Sequence, residues 1–404
     1  MYLARADNDS IVHKAASGGG VTALLGFALQ SGMVDGVVSV RRRNGNRYDG
    51  VLSAVTEPDQ VIECAGTLHC APVNVAHYIR DYLEGARDMR LAVSCKPCDA
   101  RAIIELAKVG QIELGNLILI GLNCTGTLLP GIAREMLEKE YGINPADVAG
   151  EEIDDGKLII TCKDGTKQEK DLAALEEKGY GRRENCRRCP VNIPTMADLA
   201  CGKWGTKREG YTFIEVCSEK GSELLERAVQ KGALVIEPAE ATGIEERKEK
   251  DRAATESARQ WARKELDGIR QLPYKKRWEY WSGYFSRCIK CYACRDVCPM
   301  CYCQSCYLYP ERDFIEGGET PPDIMFPLVR LAHVGHSCVN CGQCQDACPM
   351  QIPLTRLYHM VAEELSLAFD YTPGMSVDEY PPLTTVSREE LQCDEVDTLG
   401  KKLK

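Results

Sequence analysis

The sequence predicts a mixed α/β module over residues 1–240, followed by a charged connector and a cysteine-rich module. Helix-like and strand-like segments alternate through the front part, and this alternation predicts a sheet covered by helices. Cysteines are concentrated behind it, where residues 286–360 hold 11 of the 22. The expected fold class is therefore an α/β or α+β module joined to a small domain that is organised by its cysteines.

Apolar periodicity locates the individual elements of the front module. It predicts helices over residues 19–30, 73–83, 100–109 and 129–141, and strands over residues 37–40, 91–94 and 117–122. From about residue 150 the pattern changes to a hairpin around Asp164 and Gly165, a strand over 211–216 and a helix over 219–231. This change predicts a second, α+β subdomain.

The remaining boundaries follow from charge and composition. Residues 245–267 alternate seven acidic with seven basic residues, which is typical of a solvated helix that connects two domains. Prolines interrupt the sequence after residue 360, so no further domain is expected there. The predicted division is 1–149, an N-terminal α/β subdomain; 150–240, the α+β subdomain; 241–285, the connector; 286–360, the cysteine-rich domain; and 361–404, a tail.

Composition excludes several classes of function. The 50 Lys and Arg residues are outnumbered by 60 Asp and Glu residues, and the net charge of −10 argues against nucleic-acid binding. The longest apolar stretch, residues 18–40, contains too many polar residues and glycines to span a membrane. Because the first residues lack the apolar run of a signal peptide, we expect a cytoplasmic protein. Its cysteines are then metal ligands or free thiols rather than disulfides.

The cysteine-rich domain contains one internal repeat with a period of 50 residues. In each copy, two-residue gaps separate three cysteines, and a fourth cysteine follows three residues later, before Pro-Met. This spacing is typical of bacterial ferredoxins, in which the fourth cysteine crosses to the other [4Fe–4S] cluster. The alternative is a pair of structural zinc sites, although zinc favours separated cysteine pairs. The predicted ligand sets are Cys288, Cys291, Cys294 and Cys348 for one cluster and Cys338, Cys341, Cys344 and Cys298 for the other.

A second set of cysteines is dispersed through the front module. Cys98 and Cys124 each follow a predicted strand, so both are expected at the same edge of the sheet, where Cys186 and Cys189 could close over them. The four could bind a third [4Fe–4S] cluster. A zinc site, a dithiol formed by Cys95 and Cys98, and ordinary buried thiols remain as alternatives.

Two glycine-spaced stretches are candidates for a cofactor pocket. Ser17-Gly18-Gly19-Gly20-Val21-Thr22 opens the first predicted helix, whose free amides attract a phosphate, although a plain helix-starting turn would have the same pattern. Residues 197–205, with Asp198, Gly202 and Gly205, could form a second wall of that pocket or a simple turn. The sequence has no HExxH motif and no Gly-x-Ser-x-Gly motif, so hydrolytic chemistry is not expected.

These residues together give a family resemblance. Residues 13–240 resemble the beta subunits of coenzyme F420-dependent hydrogenases and formate dehydrogenases of methanogens. The matching stretches are residues 16–25, Lys96-Pro97-Cys98-Asp99, residues 121–127, Cys186-Arg187-Arg188-Cys189, and Ala197-Asp198 with Gly202 and Gly205.

The resemblance implies FAD, a [4Fe–4S] cluster next to the flavin, and a binding place for F420. It makes Cys98, Cys124, Cys186 and Cys189 the ligands of that cluster, which brings the expected number of [4Fe–4S] clusters to three. The implied flavin neighbours are Ser17, Gly18, Gly19, Thr22, Gly66 and Thr67. The two glycine-spaced stretches add Gly20, Asp198, Gly202 and Gly205 as candidate cofactor contacts.

The chain also departs from the family pattern. Where the family usually has Gly-Ser/Thr-Lys-Tyr, residues 66–69 are Gly-Thr-Leu-His, so a lysine contact is lost or replaced by His69. Pro97-Cys98-Asp99 stands for the usual Pro-Cys-Gln, and Cys95 is an additional thiol close to Cys98. No role is assigned to Cys301, Cys303 or Cys306.

The position of the ferredoxin motifs distinguishes members of the family. Here both motifs lie behind the flavin module, an arrangement that resembles the formate dehydrogenase beta subunit. This resemblance implies a partner alpha subunit with a molybdopterin or tungstopterin site, because 404 residues leave no room for a pterin domain. The alternatives are a beta subunit linked to a hydrogenase or a heterodisulfide reductase complex, and a flavin-free polyferredoxin adaptor.

Overall fold

An eight-stranded mixed sheet forms the centre of the front module in the computed structural model, which describes residues 1–308 and 324–382. The strand order is β11-β1-β10-β9-β5-β4-β2-β3, and β6, β7 and β8 form a separate three-stranded antiparallel sheet. The strands are β1 Tyr2–Ala6, β2 Gly36–Arg42, β3 Gly50–Val55, β4 Leu91–Cys95, β5 Leu117–Leu122, β6 Val148–Asp154, β7 Lys157–Cys162, β8 Lys167–Asp171, β9 Leu199–Gly202, β10 Thr212–Val216 and β11 Leu234–Pro238.

Helices cover both faces of the large sheet and build most of the C-terminal part. They are α1 Asp9–Lys14, α2 Gly20–Gln30, α3 Val75–Tyr82, α4 Pro97–Lys108, α5 Pro130–Met136, α6 Leu172–Glu177, α7 Glu184–Arg187, α8 Glu219–Gln230, α9 Ala241–Arg270, α10 Tyr274–Phe285, α11 Ala293–Asp296, α12 Met325–Val334, α13 Gln343–Asp346 and α14 Leu354–Phe369. In the described ranges, no helix is long and apolar enough to cross a membrane.

The four middle strands of the large sheet, β2, β4, β5 and β9, are parallel. Their carboxyl ends therefore meet at one edge, which is where open α/β sheets place their ligands. Strand β4 is buried along its whole length, as expected for a parallel strand with both faces covered. We call this edge, where residues 95–98, 122–124 and 202 lie, the ligand edge.

The front and C-terminal parts share one hydrophobic core. Ile103 and Leu106 of α4 belong to the same buried cluster as Phe285 of α10 and Phe326 of α12. A second core lies on the other face of the sheet, where α2 and α8 pack. The cysteine-rich module is therefore packed onto the helical layer of the front module.

All seven helices and strands expected between residues 19 and 141 are confirmed, with shifted ends. The helix expected over 100–109 begins at Pro97, because proline is well accommodated in a first turn, so Cys98 is helical. The last turn of the helix expected over 129–141 is π-helical, over Leu137–Tyr141. Strands β1, β9 and β11 were not predicted. All three belong to the large sheet, although β1 precedes the expected domain boundary at residue 149 and β9 and β11 follow it.

The charged connector is a pair of helices with one buried face. Ala258, Ala262 and Leu266 of α9 are buried, whereas the charged residues of the helix, except Arg247, are partly or fully exposed. Glu265 of α9 pairs with Arg188 of the front module. Helix α9 thus contacts the front module as well as connecting it to the next domain.

The chain continues as structure beyond residue 360. Helix α14 ends at Phe369, and the segment after it packs on α4. The hydroxyl of Tyr371 and the amide of Gly374 both donate to Glu105, at 2.5 and 2.7 Å, and Arg101 donates to the carbonyl of Pro373 at 2.7 Å. This segment therefore anchors the C-terminal part to α4.

We expect Gly374→Ala to destabilise the protein by about 1–3 kcal/mol. Gly374 has φ +71°, and an added Cβ would overlap the backbone of Arg101. The control is Gly268→Ala inside α9, where a Cβ meets nothing within 4 Å and should be neutral or slightly stabilising. Chemical denaturation measures both variants, and equal stability of the two would contradict the anchoring role of this segment.

Candidate functional site

The first predicted ferredoxin ligand set lines one pocket. Cys288, Cys291, Cys294 and Cys348 surround it, with apolar side chains between them. The fourth cysteine comes from the second repeat, as the crossed ferredoxin pattern requires. The structure thus brings together four cysteines that the sequence separates by up to 60 residues.

Both copies of the repeat have the same backbone turns. Lys290 and Tyr292 have positive φ in the first copy, and Asn340 and Gly342 have positive φ at the matching positions of the second. The amide of Lys290 donates to the sulfur of Cys288 at 3.4 Å. Successive amides that turn toward one concave surface favour a bound anion, such as a thiolate-ligated cluster.

The second predicted ferredoxin set is half-buried next to the first. Cys341 and Cys344 both interact electrostatically with Cys338. The buried phenol of Tyr358 lies close to both Cys298 and Cys344. Burial first, and then this cluster of like groups, raises the pKa of the Cys341 thiol to about 12. A buried thiolate therefore needs a bound cation at this position.

The cysteines dispersed through the front module converge at the ligand edge. Cys98 lies in the first turn of α4, directly after β4, and Cys124 lies two residues after β5. Burial in the first place, and then the neighbouring thiol of Cys186, raises the pKa of Cys124 to about 12. The thiols of Cys98 and Cys189 are close enough to take part in the same group of interactions.

Cys95 lies apart from that group. It is the last residue of β4, is 1% exposed, and lies among Asp99, Asp198 and Cys201. Its neighbours therefore differ from those of Cys98, although only two residues separate them.

A zinc ion and a [4Fe–4S] cluster require different spacings of their ligand thiols. Within residues 1–308 and 324–382, no three Cys, His, Asp or Glu side chains converge as the ligands of one metal ion do. A zinc ion would draw its four ligands to within about 2.3 Å of one point. The thiolates of a cubane bind four different irons and stand farther apart, so a [4Fe–4S] cluster does not require ligands that converge on one point.

A direct contact joins the third cysteine set to the second. Arg183 donates to the carbonyl of Cys341 at 3.0 Å and forms an ion pair with Asp346. Asn185 donates to the carbonyl of Asn340 at 3.1 Å. We call this contact between residues 182–189 and 338–346 the inter-module contact, and it places the three cysteine sets in a continuous series.

The glycine run at the start of α2 is closed in by protein atoms. A Cβ on Gly18 would lie 2.5 Å from the carbonyl oxygen of Ala4, and Gly19 is left-handed with φ +74°. Ser17 and the amide of Gly20 both bond to the hydroxyl of Thr212, at 3.0 and 3.3 Å. Gly18 is therefore required by packing against β1, which differs from our expectation that it leaves space for a phosphate.

Gly66 and Thr67 lie beside two arginines that carry no sequence motif. The backbone of Gly66, with φ +93°, approaches the carbonyl of Lys14 and the guanidinium of Arg42. Arg47 donates to the carbonyl of Thr67 at 3.3 Å. Burial and the neighbouring Arg47 lower the pKa of Arg42, which forms no ion pair in the described parts of the chain. Because no carboxylate of the described residues forms an ion pair with it, the Arg42 guanidinium next to α1 fits a bound anion such as a diphosphate.

Strand β9 divides the second glycine-spaced stretch, which is not a turn. Asp198 precedes the strand, and its carboxylate accepts from the amide of Leu119 and the hydroxyl of Ser218. Gly202 ends the strand at the ligand edge, whereas Gly205 packs against helix α9, where an added Cβ would lie 2.5 Å from the carbonyl oxygen of Gly243. Of these three predicted cofactor contacts, only Gly202 thus lies at the ligand edge.

Asn123 is a polar residue at the ligand edge that sequence reasoning did not select. A Cβ on Gly202 would lie 2.5 Å from its amide nitrogen, so the glycine makes room for this side chain. Both polar atoms of the amide are buried without a hydrogen-bond partner in the described ranges. A donor and an acceptor beside Cys124 fit the edge of a heterocyclic ring such as a flavin.

Comparison with known proteins agrees with this arrangement. Residues 1–80 and 88–242 match the N-terminal and C-terminal families described as coenzyme F420 hydrogenase/dehydrogenase, beta subunit, and residues 284–352 match a 4Fe-4S dicluster domain. The F420-dependent formate dehydrogenase subunit beta of Methanocaldococcus jannaschii is 44% identical over 96% of this chain and 99% of its own length. The chain belongs to this family of beta subunits.

Other relatives show how far the similarity extends. The F420-dependent formate dehydrogenase 1 subunit beta of Methanococcus maripaludis is 44% identical over 95% of this chain and 97% of its own length. A chain of the F420-reducing [NiFe] hydrogenase complex from Methanosarcina barkeri has the same fold, with a TM-score of 0.56 and 18% identity, over 65% of this chain and 90% of its own length. The sequence-based expectation of the family and of the ferredoxin domain is thereby confirmed.

We expect Gly342→Ala to weaken the inter-module contact. Gly342 has φ +81°, and a Cβ there would overlap the side-chain amide of Asn185. Gly142→Ala is the matched control, since Gly142 has φ +66° but open space around it. Hydrogen exchange of residues 182–189 should accelerate in the first variant only. Equal exchange in both variants would show that the contact does not order this loop.

Proposed function

We propose that this chain is the electron-transferring beta subunit of an F420-dependent formate dehydrogenase. It receives electrons from a catalytic alpha subunit that holds a molybdopterin or tungstopterin site, and it delivers them to coenzyme F420. Two relatives with this name are 44% identical to the chain over nearly their full length, which supports the proposal.

The inter-module contact is the observation that carries the proposal. A subunit that moves electrons between two partners needs its redox groups in a continuous series, and the contact of Arg183 and Asn185 with residues 340–346 makes the three cysteine sets continuous. When bound, iron–sulfur clusters exchange single electrons, and a flavin exchanges either single electrons or a hydride. The chain's own part is to hold these groups in order.

The candidate residues for each group follow from the site. The ferredoxin cysteines would hold two clusters, and Cys98, Cys124, Cys186 and Cys189 a third at the ligand edge. Arg42, with the backbone of Gly66 and Thr67, would bind the diphosphate of FAD, while the amide of Asn123 would orient the ring. Ser17, Gly18, Gly19, Gly20 and Thr22 would shape the first turn of α2 beside it. His69, whose pKa is lowered by burial, is neutral there at pH 7.

We expect Cys124→Ala to remove one cluster. Fully reconstituted protein should contain about twelve irons, as three cubanes require, and the variant about eight. The variant should lose F420H2 oxidation with an artificial acceptor and keep the paramagnetic signals of the ferredoxin pair. Iron analysis and electron paramagnetic resonance of the anaerobically purified chain measure this.

The control for that experiment is Cys201→Ala. Cys201 is also buried, at 1% exposure, but it lies within β9 rather than in a ligand set. It should retain about twelve irons. A count of about eight irons in the unmodified chain would remove the third cluster from the proposal, and unchanged activity of Cys124→Ala would remove Cys124 from the electron path.

We expect Arg42→Ala to weaken FAD binding by roughly tenfold or more, since charge-assisted hydrogen bonds contribute about 1.5–3 kcal/mol. Titration of flavin-free protein with FAD measures the affinity. Arg43→Ala is the control, because Arg43 is exposed and pairs with Asp49 at 3.6 Å. If both variants bind FAD as tightly as the unmodified chain, the diphosphate lies elsewhere.

A further inference from the structure

Arg330 is a buried cation without a carboxylate partner. It lies on α12, between the two copies of the cysteine repeat, and is 2% exposed. Among residues 1–308 and 324–382 no Asp or Glu pairs with it, and its Nε atom has no hydrogen-bond partner. An unpaired charge in this environment costs several kcal/mol, so a neighbouring anion is required.

The two arginines buried as deeply as Arg330 both have carboxylate partners. Arg188, 1% exposed, pairs with Glu184 and Glu265. Arg247, 2% exposed, pairs with Glu215 at 2.7 Å. Arg330 is buried to the same degree and has no such partner in the described residues.

The surroundings of Arg330 consist of cysteines and an aromatic ring. It lines the same pocket as the first ferredoxin ligand set, its Nη2 atom lies 3.6 Å from the sulfur of Cys301, and its guanidinium lies 5.6 Å from the centre of the Tyr358 ring. Its charge also reaches Cys294 of one ligand set and Cys344 of the other.

We propose that Arg330 is the shared counter-ion of the two ferredoxin clusters and that its charge raises the reduction potential of both. Four thiolates outweigh the positive charge of a cubane core, so a ligated cluster is an anion, and reduction adds one more negative charge. A fixed cation in a low-dielectric interior stabilises the reduced state more than the oxidised state. Arg330 is thus a positioning and tuning residue, and it remains charged at any working pH.

This inference rests on the ferredoxin part of the proposed function and is independent of FAD and F420. Iron content reports whether the clusters are present, and their potentials report what Arg330 does. The failure of one statement is therefore distinguishable from the failure of the other.

The test compares Arg330→Met, Arg330→Gln and Arg330→Lys in the anaerobically purified full chain. Redox titration followed by electron paramagnetic resonance gives the ratio of reduced to oxidised cluster at a fixed solution potential. We expect that ratio to fall about tenfold or more in the Met and Gln variants for both ferredoxin clusters, which corresponds to about 59 mV per tenfold change. The Lys variant, which keeps the charge, should lie close to the unmodified chain.

Arg287→Met is the matched control, since Arg287 is an exposed arginine of the same domain and should leave the ratio nearly unchanged. Ratios in the Met and Gln variants equal to those of the unmodified chain would overturn the proposal. Loss of the ferredoxin iron in both neutral variants but not in the Lys variant would support it, because the charge would then be needed to hold the anionic clusters. Loss of iron in the Lys variant as well would overturn it, because the requirement would then be one of shape.

Discussion

The inter-module contact is the interaction on which the arrangement of redox centres depends. Two side chains of the front module, Arg183 and Asn185, bond to backbone carbonyls of the second ferredoxin loop, and Gly342 lets the two loops approach. The hydrophobic core that α4, α10 and α12 share fixes the orientation of the two modules relative to each other. The residues that form this contact are more than 150 positions apart in the sequence, so tertiary packing determines how the cysteine sets are placed next to one another.

Charge compensation explains several otherwise costly features of the interior. Half-buried Lys96 and buried Arg183 and Arg330 all lie among cysteines of the predicted ligand sets, and each has fewer acidic partners than such thiols around it. Lys96 donates to Asp99 and to the carbonyl of Val73, which holds it beside Cys98. Such cations are unfavourable next to neutral groups and favourable next to anionic clusters.

The spacing of cysteines in the sequence made part of the site predictable. The rest depends on residues that only the tertiary structure brings together, so the sequence could not indicate them. The ferredoxin ligands and the Cys98 and Cys124 positions follow from motif spacing and from the rule that ligands gather at strand ends. Asp198 was grouped with Gly202 because they are close in sequence, but the strand between them puts them at opposite ends of β9. Strands β1 and β9 are only five and four residues long, so periodicity could not detect them. Arg42 and Arg330 belong to no motif, and Asn123 lies in a matching stretch that was selected for Cys124, so these three residues stand out only through the partners they lack.

The attachment of the C-terminal segment to α4 affects how the protein is made. Helix α4 carries Cys98 in its first turn, and its Glu105 is bonded by residues that follow it by 266 and 269 positions. A nascent chain emerges from the ribosome N-terminus first, so α4 waits for nearly the whole of translation before these contacts exist. Strand β1 likewise waits for β10 and β11. The packing of α4 is therefore completed only after the last part of the chain has been made, and a translation product truncated before Tyr371 lacks these contacts.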